Sequence, residues 1–271
     1  MANENTSPFN AREEERKLMT DRHLNLFHCY SARSREGKPV EDNLTRAFIQ
    51  TIRMLSSRSR KRFLDALFAR FEHLKCDFSQ ADVALQGNIP DVCHPRSVKY
   101  APRGVKYDVK RIVTIATSTR STSRRVPEEY SRPDAWIFDT TLPSYCLLVE
   151  SKCRGDSVSP EQLQGHAEYF DWDWRTLNWE AMKLDPYLLT LTWYDVLGVI
   201  DEAIPELSDA DSRTAEIALR LNDQEKMVLT HLWVFIGYYG YRLFKGFRFR
   251  KHEAEQPAYD WRLSNVLREK R

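Results

Sequence analysis

The chain has 271 residues, of which 42% are hydrophobic and 12% are aromatic. This length fits one large domain, or one domain with a smaller addition, and the apolar content excludes a wholly disordered chain. The formal net charge of +2 is too small to require a nucleic-acid partner by itself. The local placement of basic residues is therefore more informative than the total.

The cysteine usage and the N-terminus bear on the compartment. The five cysteines are scattered, and none forms a CxxC pair. This is typical of reduced thiols in a cytoplasmic protein and gives neither a disulfide framework nor a zinc site. The first 22 residues are polar and charged, so no secretory signal is expected. The most apolar stretch, residues 227–244, is interrupted by His231 and Arg242, which predicts a buried helix and no membrane association.

The N-terminal part of the chain predicts helices. Residues 1–38 form a charged segment with a short helix over residues 13–26, and "SARSREGKPV" is expected to be a linker. From Asn43 the apolar residues recur at helical spacing, with Glu41 as an acidic residue at the start of this first core helix. "SSRSRKR" interrupts the pattern, and a second helix follows with its apolar side over residues 63–74.

The middle of the chain predicts a sheet. Short β-prone runs separated by Pro and Gly cover residues 83–117, most clearly "KRIVTIAT", and "STRSTSRR" is expected to be a basic loop. Two apolar strands follow, over residues 135–138 and 146–149, joined by the turn-rich "DTTLPS". "YLLTLTW" predicts another buried strand.

Helical signals follow these strands. Ser159, Pro160 and Gln162 have the pattern of a capped helix start, and the chain beyond Tyr194 is helical in pattern. The order of the elements predicts an α/β core over residues 39–195, followed by a helical C-terminal region over residues 196–271.

Charged residues stand at one end of the two apolar strands. Side chains alternate across a strand, so Glu150 and Lys152 share a face, and a short hairpin can bring Asp134 close to Glu150. Two converging carboxylates repel each other unless a cation intervenes, and oxygen ligands favour Mg²⁺ or Mn²⁺. Lys152 could stabilise developing negative charge or help to deprotonate a water molecule. Phosphodiester hydrolysis requires this set of groups.

These residues also carry a family resemblance. Pro133-Asp134, a spacer and then Glu150-Ser151-Lys152 resembles the motif of the PD-(D/E)XK nuclease superfamily. The resemblance implies a restriction-endonuclease-like fold, with a mixed central sheet flanked by helices and the two motifs on adjacent strands. It covers roughly residues 40–195, because "EDNLTRAF" resembles the first core helix and Gln162 stands where many members carry a glutamine.

The resemblance implies a role for each of these residues. Asp134 and Glu150 are expected to hold Mg²⁺ or Mn²⁺, with Glu41 as a third acid. Lys152 would orient or activate the attacking water, and Gln162 would support the water or the lysine. The implied activity is that of a DNA endonuclease, and the C-terminal aromatic helix with "LFKGF" resembles nucleases of bacterial defence, restriction-like or mobile-element systems.

A second occurrence of the pattern competes with the first. Pro90-Asp91 is followed by Asp108-Val109-Lys110, which has the same residue types. The preceding "PRGVKY" is charged and contains Pro and Gly, which predicts a peripheral strand rather than a central one. No capped helix follows Lys110. We therefore favour the Asp134 pattern.

Each candidate residue also has a purely structural interpretation. Glu150 and Lys152 could be an exposed ion pair of little energetic value, and Glu41 could complement a helix dipole. Gln162 could be the capping partner of Ser159. Two further residues are assigned structural roles. His166 lies one turn after Gln162 and could approach the site, but it is expected to be an ordinary helix histidine, and Asp139 is expected to be a turn residue. The aromatic residues of "FDWDWRTLNW" are expected to pack in the core and loops.

Two basic clusters are candidates for contacts with phosphate groups. The clusters are Arg58, Arg60, Lys61 and Arg62, and Arg120, Arg124 and Arg125. The alternative is that both are solvated loops. No base-reading motif is present, so no sequence specificity is predicted.

Two functions from different classes remain open. One is a metal-dependent nuclease that acts on DNA, with RNA as an alternative substrate. The other is a catalytically silent nuclease-fold module that binds nucleic acid or partner proteins in a larger complex. For either function, a partner protein or a homo-oligomer is a possible assembly. Metal-dependent cleavage of plasmid DNA distinguishes the two.

Overall fold

The computed structural model describes residues 9–20, 25–27, 38–85, 107–116, 133–142, 144–152, 160–170, 172, 187–207 and 221–243. The helices in these ranges are α1 (Ala11–Thr20), α2 (Lys38–Met54), α3 (Ser57–Phe68), α4 (Pro160–Ala167), α5 (Trp193–Ala203) and α6 (Asp223–Leu243). The strands are β1 (Ala81–Leu85), β2 (Val109–Ala116), β3 (Ala135–Asp139), β4 (Tyr145–Ser151) and β5 (Leu188–Thr192). None of the helices described is long and apolar enough to cross a membrane.

The five strands form one mixed sheet in the order β1-β3-β4-β2-β5. β3 is antiparallel to both β1 and β4, whereas β2 is parallel to both β4 and β5. The strands predicted from the three apolar runs are confirmed to within two residues as β3, β4 and β5. The predicted α/β class, with a mixed sheet flanked by helices, is also confirmed.

The alternation of side chains gives the sheet two apolar faces. Ile137, Leu147 and Val149 belong to a large core that also contains residues of α1, α2, α3, α5 and α6. Trp136 and Leu148 point the other way, into a smaller core that includes residues of α4. Because both faces of β3 and β4 are covered, these strands are buried along their whole length and are apolar on both sides.

The two N-terminal helices differ from the expected ranges. α1 ends at Thr20, whereas a helix as far as residue 26 was expected. α2 begins at Lys38 instead of Asn43, so the last three residues of the expected linker are helical. Glu41 is consequently the fourth residue of α2, in its first turn, so it remains close to the helix start.

The basic stretch that was expected to separate two helices is part of α3. Ser56 caps this helix by accepting a hydrogen bond from the backbone N–H of Ser59 at 3.3 Å. The Arg60 guanidinium donates to the backbone oxygens of Ile52 at 3.1 Å and Leu55 at 3.2 Å, at the end of α2. The last carbonyls of a helix lack partners within the helix. The alternative of a solvated loop is therefore wrong for this cluster, because these residues are helical and Arg60 supplies those partners.

β2 is an inner strand, and its expected position at the periphery is wrong. It lies between β4 and β5, and Ile112, Val113 and Ile115 are buried. The charged residues that argued against a central strand precede Val109 and are not part of it. Residues 86–106, which include the proposed Pro90-Asp91, lie outside the described residues.

α6 joins the N-terminal part of the chain to the rest. Both α1 and α2 pack against it, so residues of all three expected segments share one core. The His231 Nδ1 atom accepts a hydrogen bond from the backbone N–H of Leu26 at 3.0 Å, and Nε2 lies 3.0 Å from Glu14 Oε1. The helix expected over residues 227–244 is confirmed as far as Leu243, and its residues 228–237 are buried as expected. "LFKGF" extends beyond the described residues.

Candidate active site

The register of β3 and β4 places Asp134 next to Glu150. Ala135 pairs with Val149, so the preceding Asp134 comes opposite Glu150 at the same end of the sheet. The backbone N–H of Asp134 donates to the Val149 oxygen at 3.1 Å, and the N–H of Ser151 donates to Asp134 Oδ2 at 2.8 Å. The proximity predicted from the hairpin is confirmed.

Three side chains meet at the Glu150 carboxylate. Oε1 accepts hydrogen bonds from Lys152 Nζ at 2.7 Å and from Gln162 Nε2 at 3.3 Å. Oε2 lies 2.9 Å from His166 Nε2. Glu150 is 2% exposed, Lys152 8% and His166 0%. These residues, Glu150, Lys152, Gln162 and His166, are called the Glu150 cluster below.

The surroundings of Glu150 favour its ionised form. Burial by itself would raise the pKa of the Glu150 carboxyl. The hydrogen bond and charge of His166, together with those of Lys152, outweigh the burial and hold this pKa below its ordinary value. The ionised carboxylate can only accept hydrogen bonds, so Lys152, Gln162 and His166 are all donors to it.

The backbone of Lys152 is fixed from two sides. Its N–H donates to the Ile115 oxygen of β2 at 2.8 Å, and its own oxygen accepts from Trp193 Nε1 of α5 at 3.2 Å. Both bonds are made by the backbone of Lys152 itself, whose side chain bears the ammonium group. The lysine is therefore held in place by two other elements of the fold, and little reorganisation is needed to keep it near Glu150.

The opposite face of the same strand end connects to α2. The hydroxyl groups of Ser151 and Thr45 are hydrogen-bonded to each other, and both residues are buried. Glu41 lies four residues, or about one helical turn, before Thr45 on α2. α2 therefore contacts the end of β4 about one helical turn from Glu41, the predicted third acid. The side chain of Glu41 lies outside the described residues.

Several structural interpretations can now be judged. An exposed strand-end pair of Glu150 and Lys152 is wrong, because both are buried. Asp139 is confirmed as a turn residue, since its carboxylate accepts hydrogen bonds from the N–H groups of Thr141 at 2.8 Å and Leu142 at 3.1 Å. His166 was expected to be an ordinary helix histidine, but it contacts Glu150. The spacing of four residues from Gln162 was the available signal, because such residues share a helix face.

The competing pattern lies at the other end of the sheet. Val109 pairs with Tyr145, whereas Thr114 pairs with Glu150, so Asp108 and Lys110 lie about five residues away along the strand direction. The ammonium group of Lys110 donates to the Phe170 oxygen at 3.3 Å. At roughly 3.3 Å per residue, the two ends are about 15 Å apart. Lys110 therefore cannot take the place of Lys152.

The structure describes one of the four predicted nucleic-acid contacts. Lys61 lies on α3, and its Nζ atom is 2.9 Å from Asp65 Oδ2 and 3.3 Å from Asp77 Oδ1. The hydrogen bond that Lys61 donates to Asp65 is the main cause that raises the pKa of Lys61. Arg120, Arg124 and Arg125 lie outside the described residues.

The donor set is compatible with a hard cation. Asp134 and Glu150 offer carboxylate oxygens, the ligand type that Mg²⁺ and Mn²⁺ prefer. Within the described ranges, no three His, Cys, Asp or Glu side chains are grouped so that they could hold a metal ion. The side chain of Glu41, the predicted third ligand, lies outside the described residues.

Comparison of the chain with protein-family models, with curated proteins and with solved structures finds no match.

Proposed function

We propose that this protein is a metal-dependent nuclease of the PD-(D/E)XK type, which hydrolyses phosphodiester bonds in DNA. The observation that carries the proposal is the pairing of Asp134 with Glu150 across two strands, with the Lys152 ammonium 2.7 Å from the Glu150 carboxylate. The mixed sheet flanked by helices supports a restriction-endonuclease-like fold. The sequence resemblance further points to bacterial defence or mobile-element systems.

The proposal gives each residue of the site a task. Asp134, Glu150 and Glu41 would hold Mg²⁺ or Mn²⁺, which activates water and stabilises negative charge on the phosphate oxygens. Lys152, held beside Glu150, would orient the attacking water and balance the charge that develops at phosphorus. Gln162 would keep the Glu150 carboxylate in place through its 3.3 Å hydrogen bond.

The test is the cleavage of supercoiled plasmid DNA by the purified chain with Mg²⁺ or Mn²⁺. Lys152→Ala should remove most cleavage and leave DNA affinity unchanged, because interactions made mainly in the transition state appear in the catalytic rate. Glu150→Gln should lose both cleavage and metal affinity.

Lys110→Ala is the matched control, since it removes a strand lysine at the far end of the sheet. Its rate should stay within a few fold of the unmodified chain. Normal cleavage by Lys152→Ala, together with loss of cleavage in Lys110→Ala, would show that the wrong strand has been chosen. Thermal melting of each variant separates loss of folding from loss of chemistry.

A second candidate is a catalytically silent nuclease-fold module that binds nucleic acid or a partner protein. The observation in its favour is that Glu150 is 2% exposed and that both of its carboxylate oxygens already accept side-chain hydrogen bonds. Binding of DNA without cleavage in either metal would favour this module. A single-stranded RNA in the same series tests the alternative substrate.

A further inference from the structure

The Glu150 carboxylate has a limited number of positions for further ligands. An ionised carboxylate offers about four lone-pair positions, two on each oxygen. Lys152 and Gln162 donate to Oε1, and His166 donates to Oε2. Among the described residues, three of these positions are therefore filled, and the fourth is on Oε2.

The His166 ring is buried at a cost that its packing alone does not explain. The ring is 0% exposed, and its Nδ1 atom has no hydrogen-bond partner among the described residues. Leaving a buried polar atom unpaired costs about 1–3 kcal/mol. A leucine or phenylalanine at this position would fill the space without that cost. The feature that distinguishes histidine here is the 2.9 Å hydrogen bond from Nε2 to Glu150.

We propose that His166 is a positioning residue that holds Glu150 so that one lone pair of Oε2 is left for the catalytic cation. This inference rests on the proposed nuclease function. Gln162 and His166 lie one helical turn apart on α4 and hold the two oxygens of the same carboxylate. Rotation of the carboxylate group would break at least one of these bonds. His166 itself does not bind the metal.

Two substitutions separate the hydrogen bond from the packing. His166→Phe keeps a ring of similar size but removes the donor. His166→Gln places a side-chain N–H at nearly the same distance along the side chain, and should rescue the function. Groups that orient a metal ligand typically contribute about 10- to 100-fold to metal affinity or activity.

The chain offers a control in a second His–Glu pair, in which His231 is buried and Glu14 is partly buried. His231 Nε2 lies 3.0 Å from Glu14 Oε1, between α6 and α1. His231→Phe also removes a His–Glu hydrogen bond, together with the bond from Leu26 to Nδ1, in a different part of the fold. Any effect it has on melting temperature measures the general cost of such a loss.

The primary measurement is Mn²⁺ affinity, from the electron paramagnetic resonance signal of free Mn²⁺, and it does not depend on catalysis. His166→Phe should bind Mn²⁺ about 10- to 100-fold more weakly, whereas His166→Gln and His231→Phe should stay within a few fold of the unmodified chain. In cleavage assays, His166→Phe should lower kcat and leave the KM for DNA unchanged.

The outcomes distinguish this inference from the proposed function. The inference is overturned if folded His166→Phe binds Mn²⁺ as tightly as the unmodified chain does. It is also overturned if His166→Gln binds Mn²⁺ as weakly as His166→Phe. Mn²⁺ binding without cleavage overturns the nuclease function, while the pattern across the variants still decides the role of His166. Absence of Mn²⁺ binding in the unmodified chain overturns both.

Discussion

Lys152→Met is expected to destabilise the fold as well as the proposed chemistry. Methionine keeps the apolar stem of the side chain but removes the ammonium group that lies 2.7 Å from Glu150 Oε1. The two side chains are 10% and 3% exposed, so water can replace little of the lost interaction. Among the residues that the structure describes, Glu150 would keep Gln162 and His166 as partners.

The size of the effect follows from this geometry. At 2.7 Å, with an effective dielectric constant of about 20, two unit charges attract each other by about 6 kcal/mol. The cost of removing both charges from water offsets part of this attraction. Breaking a buried pair by removing one partner typically costs about 3–5 kcal/mol. Because Gln162 and His166 still donate to the carboxylate, we expect the free energy of unfolding to fall by about 3 kcal/mol.

The double variant Glu150→Gln/Lys152→Met provides the comparison. It leaves neither charge in the interior, so it should recover most of the lost stability and differ from the unmodified chain by about 1 kcal/mol. Urea unfolding, followed by tryptophan fluorescence, measures all four members of the cycle. A loss below about 1 kcal/mol in Lys152→Met, or a double variant no more stable than the single one, would refute the reasoning.

The same cycle has an expected dependence on pH. In the unmodified chain the folded-state pKa of Glu150 lies below its ordinary value of 4.5, so its stabilising contribution is present above that pH and is lost as the pH falls below it. In Lys152→Met, burial with fewer partners raises this pKa, and protonation relieves the penalty as the pH falls. The stability difference between the two should therefore narrow on acidification. A constant difference would contradict the assignment to Glu150.

The remaining predictions concern metal, DNA and the N-terminal contact. Cleavage should require Mg²⁺ or Mn²⁺ and be absent with Ca²⁺, a weaker Lewis acid with looser coordination; full activity in EDTA would remove the metal mechanism. Changing Arg120, Arg124 and Arg125 together to Ala should weaken DNA binding at every sequence. It should also reduce the slope of log affinity against log salt concentration by about 0.9 per lost contact, and an unchanged slope would favour the interpretation as a solvated loop. Burial lowers the pKa of His231 against the opposing effect of Glu14, so the free energy of unfolding should fall as the pH drops below 6.5. His231→Gln should flatten this pH dependence, as measured by urea unfolding. An unchanged dependence on pH would point to another group.

The strands of the motif could be predicted from the sequence because their signal is local. β3 and β4 are short apolar runs bounded by turn residues, and side-chain alternation fixes which residues share a face. The same alternation predicts that Glu150 and Lys152 point together, and they do. Pro160 at the first position of α4 was likewise visible in the sequence.

Features that depend on distant partners could not be predicted in this way. β2 is central because β5 pairs with it, and β5 comes about 80 residues later in the chain. Arg60 is helical and partly buried because α2 ends beside it with unpaired carbonyls. The role of His166 depends on a carboxylate 16 residues away on another element. The pairing of β2 with β5 and the contacts of Arg60 leave no local pattern in composition or spacing, and the local signal for His166 is limited to its spacing of four residues from Gln162.

The packing of α1 against α6 has a consequence for synthesis of the protein on the ribosome. Glu14 and His231 are 217 residues apart in the chain. At a synthesis rate of about 5–20 residues per second, His231 is therefore made roughly 10–40 s after Glu14. During this interval the apolar sides of α1 and α2 that pack against α6 have no cover. The nascent chain is then exposed to aggregation at these surfaces, and chaperones that bind apolar segments should associate with it until α6 has left the exit tunnel.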